Sequence, residues 1–135
     1  MTKVRMLKRV TGKLQKSLCI VGPSRTYKTT WAESLGPHIR LNILYRPALR
    51  SAFEADYAIF RYVHIPTFPW QKFTSGKPFI RIGCERYEPA EYIRWGIPSI
   101  FILGEDPRSA FEEPLCNLWN SRVITVRISQ PLLVD

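Results

Sequence analysis

Gly22, Lys28 and Thr29 have the residue types and the spacing to hold phosphate. In the pattern G-x-x-x-x-G-K-[ST], backbone N–H groups cradle the phosphates, the lysine neutralises them and the hydroxyl binds Mg²⁺. Tyr27 stands where the second glycine belongs, immediately before the lysine. Glycine serves there because it adopts conformations barred to other residues and lets phosphate approach the backbone. A tyrosine in the left-handed region costs about 1–2 kcal/mol, and its ring competes for the phosphate's space. The expectation is residual nucleotide binding at most, against a competing reading in which the loop is kept for packing alone.

Hydrolysis needs more than a loop. One or two carboxylates at the end of a neighbouring strand must hold the metal shell and orient the attacking water. The apolar run Tyr57–Phe60 should deliver them, yet it continues into Arg61 and Tyr62. Asp56 lies at the other end of that run, and each strand residue advances about 3.3 Å. A polar residue that senses the terminal phosphate should follow another strand. There Leu103 is followed by Gly104, which has no side chain, and then by Glu105 and Asp106. Carboxylates facing phosphate without a metal repel it. No catalytic residue and no metal ligand is assigned on this basis.

A second group of residues suits a nucleic acid. Lys77, Arg81 and Arg86 are interleaved with Phe79 and Tyr87, which could stack bases beside a contacted backbone. The competing reading is a solvated hairpin with its aromatics in the core. His38 and His64 are isolated, and Cys19, Cys84 and Cys116 form no C-x-x-C pair, so neither type suggests a metal centre.

These residues need elements to position them. Leu18–Val21 reads as a buried strand, Gly22–Tyr27 as a loop and Lys28–Leu35 as a helix stopped by Gly36 and Pro37. His38–Phe53 is mixed, a short strand or helix. Asp56–Phe60 suits a second buried parallel strand. Residues 64–78 form a turn-rich stretch anchored by Phe68, Trp70 and Phe73. Phe79–Ile82 reads as one arm of a hairpin and Cys84–Tyr87 as part of the other. Gly96–Leu103 is a clear strand, Glu105–Arg108 a turn, Phe111–Trp119 partly helical and Val123–Ile128 a last strand. Alternating strands and crossovers after a phosphate loop predict an α/β fold, a three-layer P-loop NTPase-like domain with a mostly parallel central sheet.

Composition sets the outer bounds. The 135 residues suit one domain. A formal charge of +9 favours a polyanionic partner, and nucleic acid is the expected one. No apolar run approaches the roughly 20 residues of a membrane span, so no membrane partner is expected. The odd, scattered cysteines favour a reducing, intracellular setting. Residues 1–16, with six lysines and arginines, read as a basic leader or linker, and residues 17–135 as the folded domain.

The stretches Gly22–Gly36, Tyr57–Phe60, Trp95–Ile100 and Glu105–Arg108, in that order, are similar to the superfamily 3 helicase domain of the replication-associated proteins (Rep) of circular single-stranded DNA viruses. The geminivirus and genomovirus branch is the nearest. The resemblance implies an ATP-driven DNA helicase of rolling-circle replication in the host nucleus, with ATP and Mg²⁺ as cofactors. It implies single- or double-stranded DNA as partner, and further copies of itself in a ring, or full-length Rep. By position, Gly22, Lys28 and Thr29 would be the nucleotide loop, Arg61 and Tyr62 would replace the paired acids and Gly104 the sensor asparagine. Arg86 matches a basic position in the DNA-contacting hairpin segment. Arg108 could reach a neighbouring subunit's nucleotide or be an ordinary turn residue. Nothing matches the family's DNA-nicking domain. Three departures at three catalytic elements imply a copy impaired in hydrolysis that retains at most DNA binding or subunit interaction. The alternatives are an active Mg²⁺-dependent ATPase with a recruited acid, or part of a split Rep acting with a separate nickase.

Overall fold

Mostly apolar runs supply four strands of the main sheet and the mixed segment His38–Leu41 a fifth, and a computed structural model describes residues 16–24, 26–42, 44–83 and 89–131. In chain order the strands are β1 (Ser17–Val21), β2 (His38–Leu41), β3 (Tyr57–Arg61), β4 (Phe79–Ile82), β5 (Glu91–Arg94), β6 (Ser99–Leu103) and β7 (Val123–Arg127). The helices are α1 (Lys28–Glu33), α2 (Arg46–Arg50), α3 (Trp70–Phe73) and α4 (Glu113–Arg122), with single 3₁₀ turns at Ser51–Glu54, Ile65–Thr67 and Pro107–Ala110. The protein is an α/β domain whose central sheet runs β2-β3-β6-β1-β7, every pair parallel. β4 and β5 form a separate antiparallel pair.

Burial explains the continuous apolar runs. β1 and β6 are buried at every position, so both faces of the sheet must be covered. Alternate residues serve alternate faces. Leu18, Ile20, Tyr57, Ile59, Ile100 and Ile102 pack with Ala32 and Leu35 at α1 and just beyond it. Cys19, Val21, Phe60, Phe101 and Leu103 face the opposite way, into a larger core. That core holds Leu49 of α2, Trp70 and Phe73 of α3, Trp119 of α4 and the inward residues Ile80, Ile82 and Ile93 of the hairpin. Phe60 lies at its centre, with ring centroids of Phe68 and Phe73 at 5.1 Å and Phe101 at 5.5 Å. The Tyr57 hydroxyl donates to the Ala32 and Gly36 carbonyls, tying the end of α1 to the sheet.

Several boundaries differ from the sequence-based expectation. α1 ends at Glu33 rather than Leu35, with Ser34 closing the last turn through N–H bonds to the Thr30 and Trp31 carbonyls. The mixed stretch resolves into both a strand, β2, and a helix, α2, which begins at Arg46-Pro47. Proline is tolerated in a first helical turn because its missing N–H has no partner there. The strand that pairs with β4 is Glu91–Arg94; the expected Cys84–Tyr87 lies outside the described residues. Register decides the pairing: Phe79 faces Arg94 and Ile82 faces Glu91, and Arg50 of α2 clamps Glu91 through both carboxylate oxygens. No described helix is long and apolar enough to cross a membrane.

Candidate functional site

The loops that follow β1, β3 and β6 meet at the carboxyl end of the sheet. The chain runs outward from β1 to β2, returns through β3 and β6, and finally places β7 on β1's other side. In open α/β sheets, ligands bind outside the carboxyl ends where strand order reverses in this way. A cleft of about 400 Å³ opens at that point, lined by Gly22, Lys28 and Thr29 together with Thr26, Tyr27, Thr30, Arg61, Tyr62 and Gly104. The three phosphate-loop candidates are thus brought together.

Lys28 is the centre of the loop. Its ammonium donates to the Gly22 carbonyl at 2.7 Å, the Pro23 carbonyl at 2.6 Å and Thr26 Oγ1 at 3.3 Å. All three protons of the ammonium are engaged, and Thr26 in turn donates to the Pro23 carbonyl at 2.8 Å. Partial burial lowers the lysine's pKa from its ordinary value. A phosphate entering the loop would exchange the carbonyl bonds for stronger ones to an anion.

The two glycine positions behave differently. A Cβ on Gly22 would lie 2.6 Å from Ile128 Cγ1 and 2.8 Å from the Ile128 carbonyl, while Ile128 N–H bonds to the Val21 carbonyl. Gly22 is therefore required by packing, whatever else it binds. Tyr27 has φ 60° and ψ 28°, the left-handed region, as the motif demands of its glycine. The tyrosine bears that conformation while its ring stays exposed at the mouth of the cleft.

The end of β3 carries no acid. Arg61 Nη2 donates to the Tyr62 hydroxyl at 2.7 Å, and the guanidinium lies 4.7 Å from the Tyr62 ring centroid. Tyr62 is the second residue with left-handed φ, 58°. Asp56 sits at the far end of β3, beyond Tyr57. Gly104 has open space where a side chain would project. Asp106 points elsewhere: Arg108 binds both its carboxylate oxygens, the shortest contact being 2.7 Å, and Arg127 adds a contact at 3.5 Å. The hydrogen bond from Arg108 is the main reason its pKa falls below the usual carboxylate value. Glu105 borders adjoining grooves rather than the Lys28 cleft.

The donor set decides which cofactors fit. Gly22, Lys28 and Thr29 suit the phosphates of a nucleotide. Mg²⁺ demands oxygen ligands, commonly one or two carboxylates beside phosphate oxygens, and no carboxylate lines this cleft among the described residues. The residues do not fit that ion. Nor do three or more His, Cys, Asp or Glu side chains gather anywhere else among the described residues.

The nucleic-acid candidates lie on the hairpin. Arg81 points outward from β4, Lys77 is exposed at its base, and Arg86 falls outside the described residues. Phe79 is 57% exposed, so it is a surface ring and not core. Sequence reasoning missed two partners on the same face. Tyr92, 73% exposed, opposes Arg81, and Arg94 opposes Phe79. The signal was the alternation in Glu91-Tyr-Ile-Arg94, where Ile93 turns inward. The hairpin base and the cleft are at opposite ends of the sheet, because Gly76 and Gly96 border Ser17 at the amino end of β1.

The remaining candidates have local roles. His38 Nδ1–H donates to the Gly36 carbonyl at 2.8 Å, and His64 is exposed before a 3₁₀ turn. Arg108 is held on Asp106, within its own turn. No family model matches the chain.

Proposed function

We propose that the chain is a homologue of the Rep superfamily 3 helicase domain that has lost ATP hydrolysis and acts by binding DNA. The supporting observation is the cleft itself: a phosphate-loop lysine faces Arg61 and Tyr62 where the hydrolytic carboxylates would have to stand. A water attacking a terminal phosphate there has neither a base nor a metal-bound orienting group. The DNA-binding half of the proposal rests on the hairpin face, where two cations and two rings alternate across paired strands. Cations follow the phosphate backbone while rings stack on bases, and the combination tolerates many sequences. The net charge of +9 draws the same polyanion. Copies of the chain or full-length Rep are proposed as further partners, and the host nucleus as the location, from the resemblance.

Steady-state ATPase with a Lys28→Ala control tests the first half. The expected result is no Mg²⁺-dependent turnover; turnover lost in the variant would overturn the proposal and restore the motor. Anisotropy of a labelled single-stranded oligonucleotide at low salt tests the second half. Binding should weaken by about 1–3 kcal/mol on Tyr92→Ala and fall steeply with added salt. An oligonucleotide that does not bind at low salt would remove DNA from the proposal.

A further inference from the structure

We infer that the cleft recognises a polyphosphate chain without a divalent metal, the Arg61 guanidinium supplying the positive charge that Mg²⁺ supplies in a hydrolase. This deepens the proposed loss of hydrolysis and rests on it. A metal ion in such a site serves two purposes: it neutralises phosphate oxygens and it organises water for attack. A guanidinium performs the first and cannot perform the second. It is always protonated and presents planar donors that match phosphate oxygens.

Arg61 is placed for that work. It is the last residue of β3 and lines the same cleft as Lys28 and Thr29. Among the described residues its guanidinium pairs with no carboxylate; its side-chain contact is the Tyr62 phenol and ring. That contact holds the side chain over the turn and leaves its remaining donors available. Asp106, in the adjoining grooves, is already paired with Arg108 and Arg127. Among the described residues, two cations, three threonines and no carboxylate therefore face one volume of about 400 Å³, within the roughly 300–1,000 Å³ of small-molecule sites. Such a lining favours the free polyanion over its magnesium complex, whose charge is already partly cancelled.

Calorimetric titration with ATP in EDTA and in excess MgCl₂ tests this directly on the unaltered protein. Binding in EDTA should be at least as tight as in magnesium. Arg61→Gln should weaken binding in EDTA by about tenfold, the loss of one charge-assisted hydrogen bond, while Arg61→Lys should retain most of it. Arg61→Asp should reverse the preference and make binding depend on magnesium. Inorganic tripolyphosphate should displace ATP and adenosine should not; if only adenosine competes, the phosphates are not what is recognised and the inference fails. Binding that requires magnesium in the unaltered protein, without turnover, would overturn this inference alone. Magnesium-dependent turnover would overturn the loss of hydrolysis as well. ATP that binds in neither condition would overturn the inference and leave the hairpin's DNA role standing.

Discussion

Phe60 and Tyr62 are two positions apart on one strand and its turn, yet they belong to differently built regions. Phe60 is fully buried and packs against the rings of Phe68, Phe73, Trp95 and Phe101. Tyr62 is exposed, carries a left-handed backbone and touches the guanidinium beside it. The aromatic layer is satisfied by packing, whereas the cleft rim holds two tyrosines in a conformation that favours glycine. Strain of this kind persists only where surrounding structure over-determines it, and it gathers at functional sites. Here the backbone takes the shape suited to glycine at two residues of another type.

Substitutions should divide along the same line. Phe60→Ala should cost about 3–5 kcal/mol, a large share of the roughly 5–15 kcal/mol that holds a domain together, measured by chemical denaturation. Gly22→Ala should break the simple contrast, because its Cβ would strike the Ile128 backbone; overpacking of this sort costs about 1–3 kcal/mol. Tyr27→Gly should act in the opposite direction. Relief of about 1–2 kcal/mol of left-handed strain, less about 0.5–1 kcal/mol for glycine's greater entropy in the unfolded chain, predicts a small rise in Tm.

The Asp106 carboxylate gives a pH test. Its pKa is held below the usual value by Arg108, so the stability it supplies is present above the unfolded value of about 3.9 and is lost as pH falls through the depressed one. Asp106→Asn should therefore cost about 1 kcal/mol near neutrality and nothing measurable once both forms are protonated. The smallest effect is expected at Cys19, buried in the aromatic-side core with its thiol pushed up to about 12 chiefly by burial. Mass spectrometry after thiol labelling at neutral pH should find it unmodified while the protein stays folded. Labelling at the rate of a free thiol would show that the core opens.

Much of the fold was legible because a parallel strand covered on both faces is apolar at every position. β1, β3 and β6 are such runs or nearly so, β7 is an apolar edge strand buried only at its start, and all four were found near their true bounds. β2 was harder: His38-Ile-Arg-Leu41 is a four-residue edge strand with partly exposed side chains. The partner strand Glu91–Arg94 was not read, because the pairing depends on Ile93 turning inward and on Arg50 holding Glu91, contacts remote in sequence. That Gly22, Lys28 and Thr29 would come together in one cleft was readable from their spacing. The left-handed turn at Tyr62 was not, since no property of a tyrosine announces positive φ. Likewise, the exposed faces of Tyr92 and Arg94 follow from register, which a short alternating segment leaves open.

Gly22 has one more consequence, through Ile128. A chain that abandoned nucleotides altogether would still be forbidden a side chain at this spot, because a neighbouring backbone occupies the room. The first letter of the phosphate motif is consequently spelled by architecture, and its survival measures how closely two segments pass rather than what the protein consumes.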